Sequence, residues 1–490
     1  QFIFGPSSFS PNNQWKVYEL KNDLKLSAHP ELEVEMSSNA NQMLALIGIA
    51  VDPLNPAHSH FDIVQMLLRD QADIDSVIQL SKPLVGRWVI IFQYGSGTYI
   101  FTDPCSFRQV YYSKTDAATW CASQPELIQA VNPQEYLSQK DLLEFLYSEE
   151  HTKSESSWVG KRTIYENTYH LLPNHYFDLK SGLQERYFPP AKSQLLEKGE
   201  IIDRAANLLK GSIEGLINRT NVIQSITAGW DTRVLLAAAR AFCSEIEYYV
   251  DKMGVLGDSH PDIFIPKTLA KKFNINLSIR NSLINPPGWF ISILNKNVTG
   301  ARVLPKTRIF YHHFKLGEKR VNINGNGSEI CRNFYDKELK QEGNLLNPSE
   351  LAGIMGYSGF QFVEDELEEW LHKLPLSEVA DFNLLDFLYW EQRLGNWGAQ
   401  YPAEQDIAIE EYSPFNCRLL IETLMAAPPE WRCYPDYKIY KGLIRAMWPE
   451  LLSVPISSKS SLPGFIKERI KLKIPKKLLH LVRSFRGHNG

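Results

Sequence analysis

The sequence predicts a two-domain protein: a strand-rich α+β part followed by an α/β part built on a parallel sheet. Three observations carry this. The chain has 490 residues, more than one ordinary core accommodates, so two domains of roughly 150–250 residues are expected. Residues 1–190 read mostly as short β-rich runs. Beyond a polar stretch opened by Pro189-Pro190 and closed by Gly199, strands and amphipathic helices alternate, the pattern of a parallel sheet with crossover helices. The expected domains are 1–190 and 200–490.

In the first domain, Leu84–Phe92 is apolar and β-rich, Tyr94-Gly95-Ser96-Gly97 is turn-forming, and Thr98–Phe101 resumes a strand, so the pair reads as a hairpin. Arg108–Ser113 is another short strand. Thr163–Tyr165 and His175–Leu179 are read as strands around the turn Leu172-Pro173-Asn174, and His60–Arg69 and Gln139–Tyr147 as helices. In the second domain, Ile201, Ala205, Leu208, Leu209, Ile213 and Leu216 recur at helical spacing across Glu200–Asn218. Strands are expected at Val222–Ile226, Glu247–Val250, Asn276–Ile279 and Arg320–Asn324, with helices at Val234–Phe242 and Pro261–Phe273. From Pro348 to Trp448 the reading is nearly all helical.

Hydrophobic residues make up 44% and charged residues 22%, which are globular values. A net charge of −4 gives no global reason to expect a nucleic-acid partner. The six cysteines form no CxxC pair, which argues against a zinc site or a disulfide scaffold and for free thiols in a reducing cytoplasm. No run of about 18 apolar residues predicts a spanning helix. The opening Gln1-Phe2-Ile3-Phe4-Gly5 has no basic n-region or long apolar stretch, so a cytoplasmic location is expected. Residues 467–486 carry eight Lys or Arg against the single acid Glu468, interleaved with leucines. A helix with a solvated basic face is the plain reading, and a membrane-surface or anionic-substrate patch the alternative.

The predicted strand Val222–Ile226 runs through Thr227-Ala228-Gly229-Trp230-Asp231-Thr232-Arg233 into a predicted helix. A strand, a small-residue turn and a helix N-terminus place unsatisfied N–H groups and the positive dipole end where a phosphate binds. Asp231 alone would repel phosphate; beside Mg²⁺ it becomes a ligand that bridges to the phosphates. An ordinary βα turn with Thr as its cap is the alternative. No Walker sequence is present. The strand Arg320–Asn324 likewise leads into Gly325-Asn326-Gly327-Ser328-Glu329-Ile330, where paired glycines permit close backbone approach. A glycine-rich turn without a ligand is the other reading.

Ile226–Arg233 resembles the S-G-G-x-D-S pyrophosphate loop of the asparagine synthetase family, with Ala228 in place of one Gly and with bulky Trp230 and Arg233. Gly325–Ile330 resembles that family's G-E-G-x-D-E loop, in the G-x-G-S-[DE]-I form nearer to β-lactam synthetase. The resemblance implies an N-terminal Ntn-hydrolase-like (αββα) sandwich and a C-terminal PP-loop ATP pyrophosphatase domain with added helices. It implies ATP on Ile226, Thr227, Ala228, Gly229, Asp231, Thr232, Val250 and Gly325, and Mg²⁺ on Asp231 and Glu329. Asn326 stands where relatives carry a catalytic Glu or Tyr; an amide is a poor base, so the acceptor chemistry is expected to differ. Glu391, within Asp386–Asn396, matches a Glu that supports deprotonation of the amine; a carboxylate paired with a neighbouring Arg is the alternative. Glu410–Phe415 resembles a supporting E-x-R-x-P-F segment. Lys459, in the polar loop Ser457–Phe465, matches a Lys over the adenylate transition state, with a solvated loop lysine as the alternative.

Gly86-Arg87-Trp88, Asp103–Tyr112, Ala122-Ser123 and Thr163–Tyr176 resemble the family's glutaminase domain. That activity needs an N-terminal Cys; position 1 is Gln and no Cys precedes Cys105, so no ammonia release from glutamine is expected. The implied function is an ATP-dependent amide-forming ligase that adenylates a small-molecule or peptide carboxylate and couples it to an amine. The readings left open are a β-lactam-type or lasso-peptide cyclase and, in another class, a catalytically silent nucleotide-binding scaffold.

Overall fold

A computed structural model describes residues 1–456 except 70–72, 116–117, 138, 189–195, 303, 305, 318, 336–346 and 376–382. The N-terminal strands are β1 (Phe2–Gly5), β2 (Lys16–Glu19), β3 (Lys25–Ala28), β4 (Val34–Ser38), β5 (Gln42–Val51), β6 (Val85–Tyr94), β7 (Gly97–Thr102), β8 (Tyr111–Lys114), β9 (Thr119–Ala122), β10 (Thr168–His170), β11 (His175–Asp178) and β12 (Leu183–Arg186). They form two antiparallel six-stranded sheets, ordered β10-β8-β9-β1-β3-β2 and β12-β11-β7-β6-β5-β4. The predicted hairpin is β6–β7, in register from Val89↔Thr102 to Tyr94↔Gly97. Gly95 takes its left-handed turn position at φ +57°.

Period-two alternation explains the layering. Along β5 and β6, Ala45, Ile47, Val89 and Ile91 face Phe2, Phe4 and Leu26 of the other sheet. Leu44, Leu46, Trp88, Ile90 and Phe92 face the opposite way, onto Ile63, Val64, Leu67, Val77 and Ile78 of the helices His60–Leu67 and Ile74–Ser81. The outer face of the first sheet covers Leu127 and Ile128 of the helix Pro125–Val131. The order is helices, sheet, sheet, helix. Because both faces of β6 are buried, its sequence reads as one continuous apolar run.

Two predicted strands lie elsewhere. Arg108–Val110 turns rather than extends because the Asp103 carboxylate accepts the Phe107 and Arg108 amides at 2.8 and 2.7 Å; the strand begins at Tyr111. Thr163–Tyr165 is a local turn in which the Thr163 hydroxyl donates to the Thr168 carbonyl and accepts the Tyr165 amide. The strand is Thr168–His170.

The C-terminal strands are β13 (Val222–Ser225), β14 (Ile246–Asp251), β15 (Leu277–Arg280), β16 (Val321–Ile323) and β17 (Glu410–Tyr412). They form a parallel sheet ordered β15-β14-β13-β16-β17. Strand order reverses between β13 and β16, so loops leaving their carboxyl ends border the crevice where α/β sheets bind ligands. β17 falls inside the stretch read as nearly all helical. Asp386–Asn396 is a short helix, Leu384–Phe387, that continues as a π-helical segment, Leu388–Gly398.

One hydrophobic cluster joins the two parts: Val51, Val85 and Phe107 pack with Ile201, Leu209 and Ile213 of the helix Lys198–Ile217. Among the described residues no helix is long and apolar enough to cross a membrane. All six cysteines are free.

Candidate functional site

β13 ends at Ser225, and the Ile226 amide extends its ladder to the Tyr249 carbonyl at 2.9 Å. The helix starts at Trp230 rather than Val234, capped by Gly229. The loop is therefore only Ile226 to Gly229, and Asp231 and Thr232 belong to the helix's first turn. The Thr227 amide donates to Thr232 Oγ1 at 3.2 Å, and the Gly229 amide to Thr227 Oγ1 at 3.2 Å. The Ala228 amide donates to Asp262 Oδ1 at 2.9 Å. Ala228 is fully buried in the shared core, which is why a methyl is accommodated where the resembling family has Gly.

Asp231 is where the two loops meet. A Cβ on Gly229 would stand 2.6 Å from Asp231 Oδ1, and one on Gly325 would stand 2.6 Å from Oδ2 and 2.8 Å from the Asp231 Cβ. The carboxylate thus lies between two glycines from loops that follow adjacent strands. Its pKa is pushed up to about 6, by burial and by the neighbouring Glu329 carboxylate, against the opposing pull of Arg332 and of the Thr232 and Asp231 amides. The Glu329 charge makes ionising Asp231 more costly, and a divalent cation relieves that cost. Among the described residues no three or more His, Cys, Asp or Glu side chains converge on a metal position. Two carboxylates are what a Mg²⁺ site needs from the chain when phosphate and water oxygens supply the remaining ligands, and Asp231 and Glu329 are the pair that could hold one.

Glu329 lies in a short 3₁₀ turn, Ser328–Cys331, entered through Gly327 at φ +85°. Its Oε2 accepts the Tyr389 hydroxyl at 3.0 Å, and Oε1 lies 3.5 Å from the Arg332 guanidinium. Tyr440 donates to the Ser328 carbonyl at 2.7 Å and stacks on Trp230, with ring centroids 5.9 Å apart, so the aromatic pair braces both loops. The Asn326 amide donates to Asn324 Oδ1 at 2.9 Å, and its carbonyl accepts the Ser413 hydroxyl at 2.5 Å. Val250 is buried with Leu256 and Ile263 at the end of β14. Arg233 is fully buried and donates to the carbonyls of Leu451, Val454 and Pro455. Its guanidinium ties the helix to residues 451–455.

Glu391 is a correction. It is fully buried; Oε1 accepts from Asn174 at 2.7 Å and Arg186 at 2.6 Å, and Oε2 from Arg186 at 2.8 Å and Trp370 at 2.7 Å. Burial alone would raise its pKa, but Arg186, His175 and Asn174 together outweigh that and hold it below the ordinary 4.5. A carboxylate with four donors and a depressed pKa is an ion-pair partner at the seam between the two parts, not a base for an incoming amine. Lys459 and the basic stretch 467–486 lie outside the described residues.

The sequence reading missed Asp262, Arg332 and Tyr389. Asp262 sits in the first turn of the helix Pro261–Phe273, and the Pro-Asp pair at a helix start was its one local signal. Away from the loops, a cavity of about 710 Å³ opens at the amino edge of the parallel sheet, lined by Arg87, Arg108, Thr220, Val321, Asp406 and Glu410 among others. Arg87 donates there to Asp406 at 2.7 and 3.1 Å and to Glu410 at 3.0 Å.

No protein-family model matches the sequence, and no curated protein matches it. Among solved structures the chain is similar to the glutamine phosphoribosylpyrophosphate amidotransferase from B. subtilis complexed with ADP and GMP. The TM-score is 0.22 at 10% identity, covering 64% of each chain. A structure described as the allosteric regulatory enzyme of purine biosynthesis gives a TM-score of 0.22 at 11% identity over 66% of this chain and 64% of that one. The glutamine-dependent NAD⁺ synthetase from Acinetobacter baumannii in complex with ADP gives 0.18 at 13% identity over 54% and 58%. The chain spans less than two thirds of the length of each. At such TM-scores the reading of the site rests on the chain's own geometry.

Proposed function

We propose that the chain is an ATP-dependent, AMP-forming carbon–nitrogen ligase of the asparagine synthetase-like kind. In this reading residues 1–190 form a glutaminase-like, Ntn-hydrolase-like sandwich and residues 200–490 a PP-loop ATP pyrophosphatase domain. The observation that carries it is the Asp231 carboxylate, held between Gly229 and Gly325 and raised in pKa by Glu329, at the point where the parallel sheet's strand order reverses.

The substrate carboxylate attacks the α-phosphorus of ATP and pyrophosphate leaves; an amine then attacks the acyl carbon and AMP leaves. Asp231 and Glu329 would hold Mg²⁺, which neutralises phosphate charge when bound. The first-turn amides and the Thr227 and Thr232 hydroxyls orient the phosphates, and Ile226 and Val250 flank the adenine side. Arg233 holds the carbonyls of Leu451, Val454 and Pro455, and Lys459 follows Pro455 by four residues in the sequence. Lys459 supplies a cation to the developing phosphate charge. The two substrate groups belong either to separate molecules or to one molecule, as in β-lactam-type and lasso-peptide cyclisation.

The test is ATP–pyrophosphate exchange driven by candidate acids. Exchange is expected in the wild type and lost in Asp231→Ala and Lys459→Ala, with folding retained. Exchange that survives Asp231→Ala removes the site assignment. A scaffold that binds nucleotide without chemistry is favoured by one observation: the Thr227, Ala228 and Gly229 amides are all engaged by the chain's own side chains. Calorimetric Mg·ATP binding without exchange for any acid would support that second reading.

A further inference from the structure

The segment between β15 and β16 carries exposed apolar surface that the proposed reaction does not use. Two helices, Gly288–Asn297 and Thr307–Leu316, bury Phe290, Leu294 and Phe310 beneath them. Their outer side is apolar as well. Trp289 is 50% exposed and Phe314 39%, and Ile293 and Leu316 are exposed on the same two helices. The Trp289 and Phe314 rings meet edge-on with centroids 5.6 Å apart, so the two helices share a patch. Scattered surface hydrophobics are ordinary; a joined aromatic and aliphatic patch marks an interaction site.

Charge decides what covers it. From Asn281 to Gly317 the sequence holds no Asp or Glu. Lys296 and Lys315 are exposed at the patch, and Lys315 lies 5.3 Å from the Tyr311 ring centroid. Arg302 and Lys306 turn inward instead, onto Glu404 and the Tyr401 ring. Indole and aliphatic groups rimmed by lysines suit an anionic bilayer, with rings among the headgroups and ammonium groups on the phosphates. A second copy of this chain fits poorly, because a two-fold contact would oppose the same lysines to one another.

We propose that the hairpin of the helices Gly288–Asn297 and Thr307–Leu316 docks the protein peripherally on an anionic lipid surface. The sequence of 467–486, with eight basic residues among leucines, offers a second weak signal, and two weak signals hold far better than one.

The test is flotation of the full chain with vesicles of phosphatidylcholine alone and of phosphatidylcholine mixed with phosphatidylserine. Binding is expected to the anionic vesicles, weakened by salt. The double variant Trp289→Ser/Phe314→Ser is expected to lower it by about tenfold or more, as is Lys296→Glu/Lys315→Glu. All four positions are exposed, and an unchanged Tm verifies the fold. Lys476→Glu/Lys477→Glu separates the tail's share and is expected to leave the hairpin's effect in place. The proposal is overturned by absent binding, by equal binding to both vesicle types, by binding that only the tail substitutions affect, or by hairpin variants that alter oligomeric state and not vesicle binding.

Discussion

Asp231 shows what a single side chain reports about its surroundings. Its folded pKa of about 6 stands above the ordinary 3.8, so between those values the folded chain keeps a proton that the unfolded chain has lost. Stability without ligand therefore falls as pH rises through this window, by on the order of 2–3 kcal/mol. On the proposed function, Mg·ATP would offset that cost only where Asp231 is ionised. The rise in Tm on adding Mg·ATP should be larger at about pH 8 than at about pH 5, and an equal rise at both would remove Asp231 from the metal site. Asp231→Asn should flatten the pH slope and abolish the Mg·ATP shift. Gly325→Ala tests the cradle directly: its methyl would stand 2.6 Å from Asp231 Oδ2 and 2.8 Å from its Cβ, so one loop must shift, and Mg·ATP affinity should fall at least about tenfold in a variant that still folds. That the two glycine-bearing turns meet was legible in the sequence, because each follows a strand of one parallel sheet. Asp262 and Tyr389 were not, since they reach the loops from other elements, and no spacing rule connects Ala228 to Asp262 or Glu329 to Tyr389.

At the scale of elements, the π-helical segment Leu388–Gly398 explains why Glu391 misled. A carboxylate near the end of a predicted helix reads as accessible, yet this segment is buried against the N-terminal part, and Glu391 meets Arg186 and Asn174 there. Removing one partner of a buried ion pair strands the other, so Glu391→Ala should destabilise the fold by about 3–5 kcal/mol. Its pKa lies below the ordinary value, so its contribution is present above that value and is lost as pH falls through the folded one. Exchange activity per folded molecule should persist at temperatures where the variant stays folded; a specific loss of exchange without loss of stability would restore a catalytic role. β17 escaped the sequence for a related reason. Three residues, Glu410–Tyr412, are too few to establish a period of two, and they join the sheet only because β16 offers an open parallel edge. The helix Pro261–Phe273, by contrast, was legible to the residue, since Pro261 fixes its start and the left-handed Asn274 its end.

At the scale of the molecule, the two predicted parts are joined by more than the linker. The helix Lys198–Ile217 lies so close to the first part that a Cβ on Gly211 would stand 2.0 Å from the Pro53 carbonyl oxygen, and one on Gly215 2.5 Å from Val51. Glycines four residues apart put this contact along one face of the helix. Arg87, 2% exposed, adds charged bonds from β6 to Glu410 of the edge strand β17 and to Asp406 at the end of the helix before it. Residues from both parts also share one core cluster. A core cluster shared by both parts couples them, so thermal unfolding should show one cooperative transition, by circular dichroism and by calorimetry alike. Gly211→Val forces backbone apart and cannot be absorbed by a rotamer change, so it should lower stability by about 3 kcal/mol or more. If the seam couples the parts, that variant should divide the transition in two, with the Mg·ATP-induced shift confined to the part that holds Asp231. A single transition that merely moves to lower temperature would mean that the parts cannot fold apart, and a Gly211→Val protein as stable as the wild type would mean that the helix does not sit against Pro53.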